Sequence, residues 1–355
     1  MRLAADAPAE ERGLRRDGVR LLAATPDGIG HGRFTDLPRY LSPGDLLVVN
    51  TSGTRPAAAD GRRADGRLVT VHVSTHTDDG THLVELREWL SSRGRVRDAV
   101  AGEEITLPDR VSLRLLRPYP GPEPARLWEA EAVQAGQRHP DFAGFLARHG
   151  RPVRYSYVPE PWPLAAYQTV FAREPGSAEM ASAARPFSPE LVTTLVAAGV
   201  QIAPVTLHAG LASLETGEPP LPERYRVPAP TAQLVNLAHV GERRVVAVGT
   251  TVVRALESAA GEDGVVRASE GWATVVLGPR RPARVIDGLV TGWHDPEASH
   301  LDLLRAVAGP DLVAAAYAEA ERHRYLWHEF GDSCLLLPPR PAGQPSRVAR
   351  TAMCP

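Results

Sequence analysis

The chain has 355 residues, of which 43% are hydrophobic and 23% are charged, and its formal net charge is -2. This length allows two or three domains, and the composition is typical of a globular protein. The near-neutral charge excludes a global basic field that would draw the protein onto nucleic acid, so a nucleic-acid partner would need a local patch. All 40 basic residues are arginine, which excludes a lysine Schiff base and a lysine general base.

The two cysteines, Cys334 and Cys354, are too few for a disulfide framework or a cysteine-rich zinc site, which indicates a reducing compartment. The first residues lack the apolar core of a signal peptide. No apolar run reaches the roughly 18 residues that a membrane-spanning helix needs. We therefore expect a cytoplasmic protein that does not associate with membranes.

Short strands dominate the first half of the chain. Residues 46–49 form an apolar run after turn residues 42–45, which predicts a buried strand. Between residues 60 and 150, apolar side chains alternate along three segments; they are Val69, Val71 and Val73, then Val111, Leu113 and Leu115, then Trp128, Ala130 and Ala132. Closely spaced strands of this kind predict an antiparallel sheet or a small barrel.

Helices and strands alternate after residue 151. Ser188-Pro189-Glu190 suits a helix start, and Gly199 suits its end. The stripe Leu191, Val192, Leu195 and Val196 predicts its buried face. Strands are expected at 200–207, 245–248, 272–277 and 285–290, and further helices at 299–308 and 311–324.

This order predicts the α/β class, as a large α/β domain with an inserted antiparallel β-barrel domain. Residues 1–59 and 151–338 would form the discontinuous α/β catalytic domain, and 60–150 the inserted domain. The proline- and arginine-rich tail at 339–355 is expected to be disordered.

Polar residues follow three of the predicted strands, at 206–210, 249–251 and 291–296. Ligands of α/β sheets collect at the carboxyl ends of strands. The helix start at Gly249, Thr250 and Thr251 offers free amides to an anion. Arg254 lies one turn further along, where a cation is mildly disfavoured unless it faces a carboxylate or phosphate. The alternative is that Arg254 pairs with Glu257 or points into water.

Histidines at two strand ends are candidate acids or bases. The ordinary pKa of histidine lies near neutrality, which suits His208 and His294 as general acids or bases. Each could equally have only a structural hydrogen bond to a backbone carbonyl. His294, His300 and Asp302 match no strong zinc spacing, so no metal is expected. Asp332 follows Gly331 in an ordinary turn pair.

Several longer segments resemble the S-adenosylmethionine:tRNA ribosyltransferase-isomerases of queuosine biosynthesis. They include FTDLPRYLSPGDLLVVN, YQTVFA, TLHAG, VVAVGTTVVRALES, TGWHDPEAS and FGDSCLL, and the resemblance runs from about Arg16 to Leu337. It implies a transferase-isomerase that uses S-adenosylmethionine as substrate, with tRNA as a partner, and a large α/β domain with an inserted β-barrel. The sugar carbons pass to the aminomethyl group of a 7-deazaguanine base, and adenine and methionine leave.

The resemblance also suggests roles for individual residues. Gly249, Thr250, Thr251 and Arg254 would hold the methionine carboxylate, and Tyr167 or Trp293 would face the sulfonium unless they only pack in the core. His208 would be the base that removes a C5′ hydrogen, with His294 and Asp332 as further catalytic candidates. The protein would be a monomer or a homodimer.

The chain departs from the family pattern in its loops. Thr51-Ser52-Gly53 replaces the usual Asp-Thr-Arg after Asn50, and the segment at 180–187 lacks the usual histidine. The histidine-rich loop expected after the TLHAG segment is replaced at 218–225. These departures leave two alternatives open. One is a paralogue that cleaves S-adenosylmethionine or uses a small-molecule acceptor, and the other is a non-catalytic binding protein.

Overall fold

The computed structural model describes residues 3–89, 94–121, 126–134, 136–138, 141–212, 219–295 and 300–339. Its strands are β1 (Leu3–Ala4), β2 (Arg20–Thr25), β3 (Gly28–Arg33), β4 (Leu46–Asn50), β5 (Ser52–Thr54), β6 (Ala58–Arg62), β7 (Leu68–His76), β8 (His82–Glu88), β9 (Glu104–Thr106), β10 (Val111–Tyr119), β11 (Leu127–Gln134), β12 (Gln137–Arg138), β13 (Glu174–Ser177), β14 (Gln201–Leu207), β15 (Glu223–Val227), β16 (Val245–Val248), β17 (Ser269–Ala273), β18 (Gly288–Gly292), β19 (Leu326–Trp327) and β20 (Ser333–Leu336). Its α-helices are α1 (Phe142–His149), α2 (Pro189–Ala197), α3 (Ala229–Val240), α4 (Thr250–Ala259), α5 (His300–Ala308) and α6 (Pro310–Arg322).

A nine-stranded mixed sheet forms the centre of the molecule, in the order β17-β15-β14-β4-β16-β18-β20-β2-β3. Four adjacent strands of this sheet, β14, β4, β16 and β18, all run parallel to one another. Their carboxyl ends therefore meet at one edge of the sheet. All three of the predicted polar segments follow strands of this group, so they share that edge.

The sheet is covered on both faces, which explains its continuous apolar strands. Along β4, Leu46 and Val48 pack into one hydrophobic cluster, while Leu47 and Val49 pack into another. Strand β16 repeats this alternation. Helix α4 covers the first face and α2 the second. The buried strand predicted at residues 46–49 is confirmed.

A second, antiparallel sheet has the order β10-β9-β6-β7-β8-β11-β12, and β10 also pairs with β11. All of its strands come from residues 58–138, and the strands of the nine-stranded sheet come from outside that range. The three alternating apolar segments predicted from the sequence line one shared core, as expected.

The outer face of this second sheet is also buried along β7, β8 and β11, which alternation alone did not predict. Glu85 on β8 is fully buried and accepts hydrogen bonds from the guanidinium groups of Arg87 (2.9 Å) and Arg126 (3.2 Å). Arg126 also donates to the carbonyl of Ala212, which lies outside the sheet. The outer face thus packs against the rest of the molecule, and its charges are paired there.

Several predicted boundaries need correction. Helix α2 begins as expected, since the Ser188 hydroxyl accepts from the Leu191 amide at 3.2 Å. However, Val196 is 58% exposed and does not belong to the buried stripe. The strand predicted at 272–277 ends at Ala273, and the segment that follows it is irregular.

Helix α5 begins at His300, next to residues outside the described ranges, and α6 spans Pro310–Arg322. Within the described residues, no helix has the length and apolar character needed to cross a bilayer. The tail at 339–355 was predicted to be disordered. Its residues from 340 onward lie outside the described ranges.

Candidate active site

A cleft of about 600 Å³ opens at the carboxyl edge of the parallel strands. Its walls come from the segments that follow β14, β16 and β18, from the irregular segment after β17, and from β8 of the second sheet. The polar and charged residues that line it are Arg87, Tyr155, Ser156, Tyr157, Glu179, Ser182, Glu223, Thr250, Thr251, Arg254, Thr291, His294, Asp295, His300, His328 and Glu329. A cleft of this size at this position is the usual place for a small-molecule site in an α/β protein.

The start of helix α4 lies in the wall of the cleft. Gly249 has φ of +96°, a conformation that favours glycine, and it turns the chain from β16 into the helix. No side chain caps the helix start, and Gly249, Thr250 and Thr251 all line the cleft. The first amides of a helix have no intrahelical acceptor. This end of α4 is therefore available to an anion, as the sequence predicted.

Arg254 is buried rather than exposed, and it has partners that the sequence did not indicate. Its guanidinium donates to the Glu223 carboxylate and to the carbonyls of Leu221 (2.8 Å) and Ala273 (2.6 Å). Glu257 instead accepts the amides of residues 284 and 285. Both alternatives considered for Arg254, a pair with Glu257 and a position in water, are therefore wrong.

Glu223 links Arg254 to the neighbouring strand end. Its other carboxylate oxygen accepts the Gly210 amide at 3.0 Å. Burial raises the pKa of Glu223, while Arg254 and the Gly210 amide act in the opposite direction. The Arg254–Glu223 pair therefore fixes α4, β15 and the segment after β14 relative to one another.

Two further carboxyl groups, both partly buried, line the cleft. Glu179 accepts hydrogen bonds from the Tyr155 hydroxyl and from the Ala212 amide (2.7 Å). Burial raises its pKa to about 7 despite these bonds. Burial, reinforced by the charge of Glu179, raises the pKa of Glu329 to about 8, and one oxygen of Glu329 is buried without a hydrogen-bond partner. Both groups would ionise readily beside a cation in the cleft.

Three histidines complete the polar lining. His294 and His300 stack with ring centroids 4.6 Å apart, and the Nε2 of His294 is 3.2 Å from the Thr291 hydroxyl. Burial holds the pKa of His294 well below its usual range, and His300 and His328 add to the effect. His328 stacks on Tyr157 at 3.9 Å. His294 thus lies in the cleft as a neutral imidazole.

Two of the predicted catalytic residues lie outside the cleft lining. The Nδ1 of His208 is 2.7 Å from the Ser52 hydroxyl, which also contacts Ser177 at 2.6 Å. Asp332 is buried and accepts the amides of Arg20 (2.9 Å) and Leu326 (2.8 Å). His208 is held against the neighbouring loop, and Asp332 ties two strands together.

The two predicted aromatic contacts are core residues. Tyr167 is buried against Phe330, with ring centroids 5.2 Å apart. The ring of Trp293 packs between Tyr317 and Trp327 at 5.1 and 5.8 Å. Tyr167 therefore fits the core-packing role. Trp293 packs in the core and also lines the cleft, so its contact with a sulfonium stays a prediction.

His294, His300 and Asp302 do not form a metal cluster in the part of the chain that the structure describes. Asp302 pairs with Arg305, and the two histidines stack face to face. The group of described residues with metal-ligand spacing lies elsewhere, at His31, Glu319 and His323.

Sequence reasoning missed Glu179, Glu223 and Glu329. Each lies in or beside a loop, where a glutamate is ordinarily exposed, and no spacing pattern joins the three. Their shared property is burial at one edge of the sheet, which depends on the tertiary fold. Glu329 directly precedes the FGDSCLL segment. The sequence alone therefore showed it only as an acid next to aromatic residues at a strand end.

Parallel strands that end at a deep cleft, with an uncapped helix start and buried carboxyl groups, define an α/β protein with an enzyme-like ligand site. A family model described as "Queuosine biosynthesis protein" matches residues 1–336. The chain belongs to this family.

Individual relatives agree with this assignment. The S-adenosylmethionine:tRNA ribosyltransferase-isomerase of Moorella thermoacetica is 36% identical, over 91% of this chain and 94% of that protein. The protein of the same name from Thermus thermophilus is 35% identical, over 93% of this chain and 95% of that protein. The one from Rubrobacter xylanophilus is 37% identical, over 94% of this chain and 94% of that protein. A crystal structure of S-adenosylmethionine tRNA ribosyltransferase from Thermotoga maritima is 27% identical, covers 94% of this chain and 96% of that chain, and has a TM-score of 0.49. The family assignment rests on the sequence matches.

Proposed function

We propose that the protein is an S-adenosylmethionine:tRNA ribosyltransferase-isomerase of queuosine biosynthesis. It transfers the ribosyl carbons of S-adenosylmethionine to the aminomethyl group of a 7-aminomethyl-7-deazaguanine base in tRNA and rearranges them to an epoxycyclopentane. Adenine and methionine leave. The observation that carries this proposal is the family match over residues 1–336, because it spans every segment that lines the cleft.

The charges of the cleft suit both ends of S-adenosylmethionine. The methionine carboxylate binds at the free amides of Thr250 and Thr251. The Gly249 amide instead donates to the carbonyl of Val290 at 2.8 Å. The guanidinium of Arg254 already has three acceptors, so its role is to hold Glu223 and the cleft wall rather than to bind the carboxylate. The sulfonium lies toward Glu179 and Glu329, whose ionised forms it stabilises.

Glu329 is the base in this proposal, in place of His208. The sulfonium makes the neighbouring C5′ hydrogens acidic, and a base works best when its pKa is near the operating pH. The pKa of Glu329, about 8, meets this condition, whereas burial makes His294 a weak base. The unpartnered oxygen of Glu329 accepts the C5′ proton. In the same proposal, Glu179 receives a proton from the ammonium form of the aminomethyl group.

The proposal also assigns roles to the two parts of the chain. Residues 1–59 and 151–338 form the catalytic domain, and 60–150 form an inserted domain. The pairing of β10 with both β9 and β11 supports a closed six-stranded barrel for the inserted part. We place the reaction in the cytoplasm, with tRNA and S-adenosylmethionine as partners and without a metal.

An assay for released adenine and methionine tests the function. We expect both products only when the purified protein receives S-adenosylmethionine together with tRNA that carries the aminomethyl base. Unmodified tRNA is the matched control. Release without the modified tRNA would support the small-molecule or cleavage alternative, and binding without release would support the binding protein; either result contradicts the proposed function.

Binding of S-adenosylmethionine is expected to release about one proton at pH 7, because the sulfonium lowers the raised pKa values of Glu179 and Glu329. Calorimetric titrations without tRNA, in phosphate and in Tris buffer, measure this release through the difference in buffer ionisation enthalpy. Equal binding enthalpies in the two buffers would show that no carboxyl group of the cleft ionises on binding.

A further inference from the structure

A cluster of three side chains lies at the outer edge of the nine-stranded sheet, away from the residues that line the cleft. His31 belongs to the edge strand β3, Glu319 lies in α6, and His323 directly follows α6. Glu319 and His323 are four residues apart, so they share one face of the helix end. The ligand atoms of the three residues all lie within 4.8 Å of one another.

The Tyr325 hydroxyl contacts the Nδ1 of His31. It is 2.9 Å from that nitrogen and 3.3 Å from the carbonyl oxygen of Leu21, which can only accept. When the hydroxyl donates to Leu21, it accepts from Nδ1–H, and the lone pair of neutral His31 is then on Nε2. Hydrogen bonding of the second ring nitrogen is the usual arrangement around metal-binding histidines.

The free nitrogen of His31 points at the same carboxylate oxygen as His323. The Nε2 of His31 is 3.3 Å from Oε1 of Glu319, and the Nε2 of His323 is 2.8 Å from it. A neutral His31 with its lone pair on Nε2 would meet this oxygen with two acceptors facing each other. A proton or a metal cation between them relieves that repulsion.

The spacing and chemistry fit zinc. Two ligands of a tetrahedral zinc ion, each about 2.0–2.1 Å from the metal, are separated by about 3.3 Å. The His31–Glu319 distance, 3.3 Å, already has this value, and the His323–Glu319 distance, 2.8 Å, is about half an ångström shorter. The other oxygen of Glu319 accepts from Arg322 at 2.6 Å, which leaves Oε1 for the site.

We propose that His31, Glu319 and His323 bind a divalent transition metal, with zinc as the preferred ion and water in the remaining position. Two imidazoles and one carboxylate form a common zinc ligand set. The bound ion would connect the β2–β3 hairpin near the beginning of the chain to the end of α6. Its role would be structural, because none of the three residues lines the cleft.

Zinc titration of the metal-free, full-length protein tests this proposal. We expect one equivalent of Zn²⁺ to bind by calorimetry and to raise the midpoint of thermal unfolding. His323→Ala should weaken this binding by about tenfold or more, and Tyr325→Phe, which keeps all three ligands, by about tenfold. The matched control is His149→Ala, since His149 forms a single histidine–carboxylate contact with Asp109 at 2.6 Å.

The pattern across the variants decides the outcome. The proposal is supported when zinc affinity falls in His323→Ala and Tyr325→Phe but not in His149→Ala. It is overturned when the wild-type protein binds no stoichiometric zinc, or when His323→Ala binds zinc as tightly as the wild type. If a proton alone lies between these side chains, the wild-type protein will bind no stoichiometric zinc.

Discussion

Glu329→Gln is expected to reduce turnover by about 10²- to 10⁴-fold, the usual contribution of a general base. Glutamine keeps the size and polarity of the side chain but cannot accept the C5′ proton. Single-turnover measurements of adenine release with modified tRNA provide the test. The proton released on binding of S-adenosylmethionine should also decrease. Glu270→Gln is the matched control, because Glu270 is exposed on β17.

The same variant should change the dependence of stability on pH. The pKa of Glu329 in the folded protein, about 8, lies above its ordinary value of 4.5. The folded state therefore binds more protons between these values, and the free energy of unfolding falls as the pH rises from about 4.5 to about 8. Glu329→Gln removes this contribution, so the variant should be more stable than the wild type at pH 8 while it loses activity. Unchanged turnover would remove Glu329 from the mechanism.

Arg254→Met is expected to lower the free energy of unfolding by about 3–5 kcal/mol, the usual effect of breaking a buried ion pair. The substitution removes three hydrogen bonds and leaves the Glu223 carboxylate without its cation. Urea denaturation followed by circular dichroism measures the change. Adding Glu223→Gln to Arg254→Met should restore part of the stability, because the second change removes the uncompensated charge.

Arg267→Met is the matched control for Arg254→Met. Arg267 forms an exposed ion pair with Asp263 at 2.7 Å, and such pairs contribute about 0–1 kcal/mol. A loss of stability in Arg254→Met no larger than in this control would contradict the structural role. If Arg254 instead binds the methionine carboxylate directly, the variant would retain its stability and lose about 1.5–3 kcal/mol of binding free energy for S-adenosylmethionine.

The parts of the fold that follow from hydrophobic periodicity were predicted correctly. Strand β4 and the three alternating segments of the second sheet have apolar patterns that only one arrangement buries. The end of β17 was misplaced because the apolar residues 275–277 look like a strand continuation. In the structure these three residues line the cleft instead, where Val275 and Leu277 are buried and Val276 is exposed.

The residues that line the cleft were predicted in part, and the reason differs between residues. Gly249, Thr250 and Thr251 were found because a strand–glycine–helix turn is a local pattern. Arg254 was noticed through its unfavourable position in the first turn of α4, yet its partner Glu223 is distant in sequence and could not be inferred. Glu329 was missed because its raised pKa results from burial, which no local pattern indicates.

A crystal structure with bound S-adenosylmethionine would locate the two charged ends of the ligand. We expect the methionine carboxylate to contact the amides of Thr250 and Thr251 and the sulfonium to lie beside Glu179 and Glu329. A ligand bound outside this cleft, or bound in it with the sulfonium turned away from both carboxyl groups, would rule out the proposed binding mode.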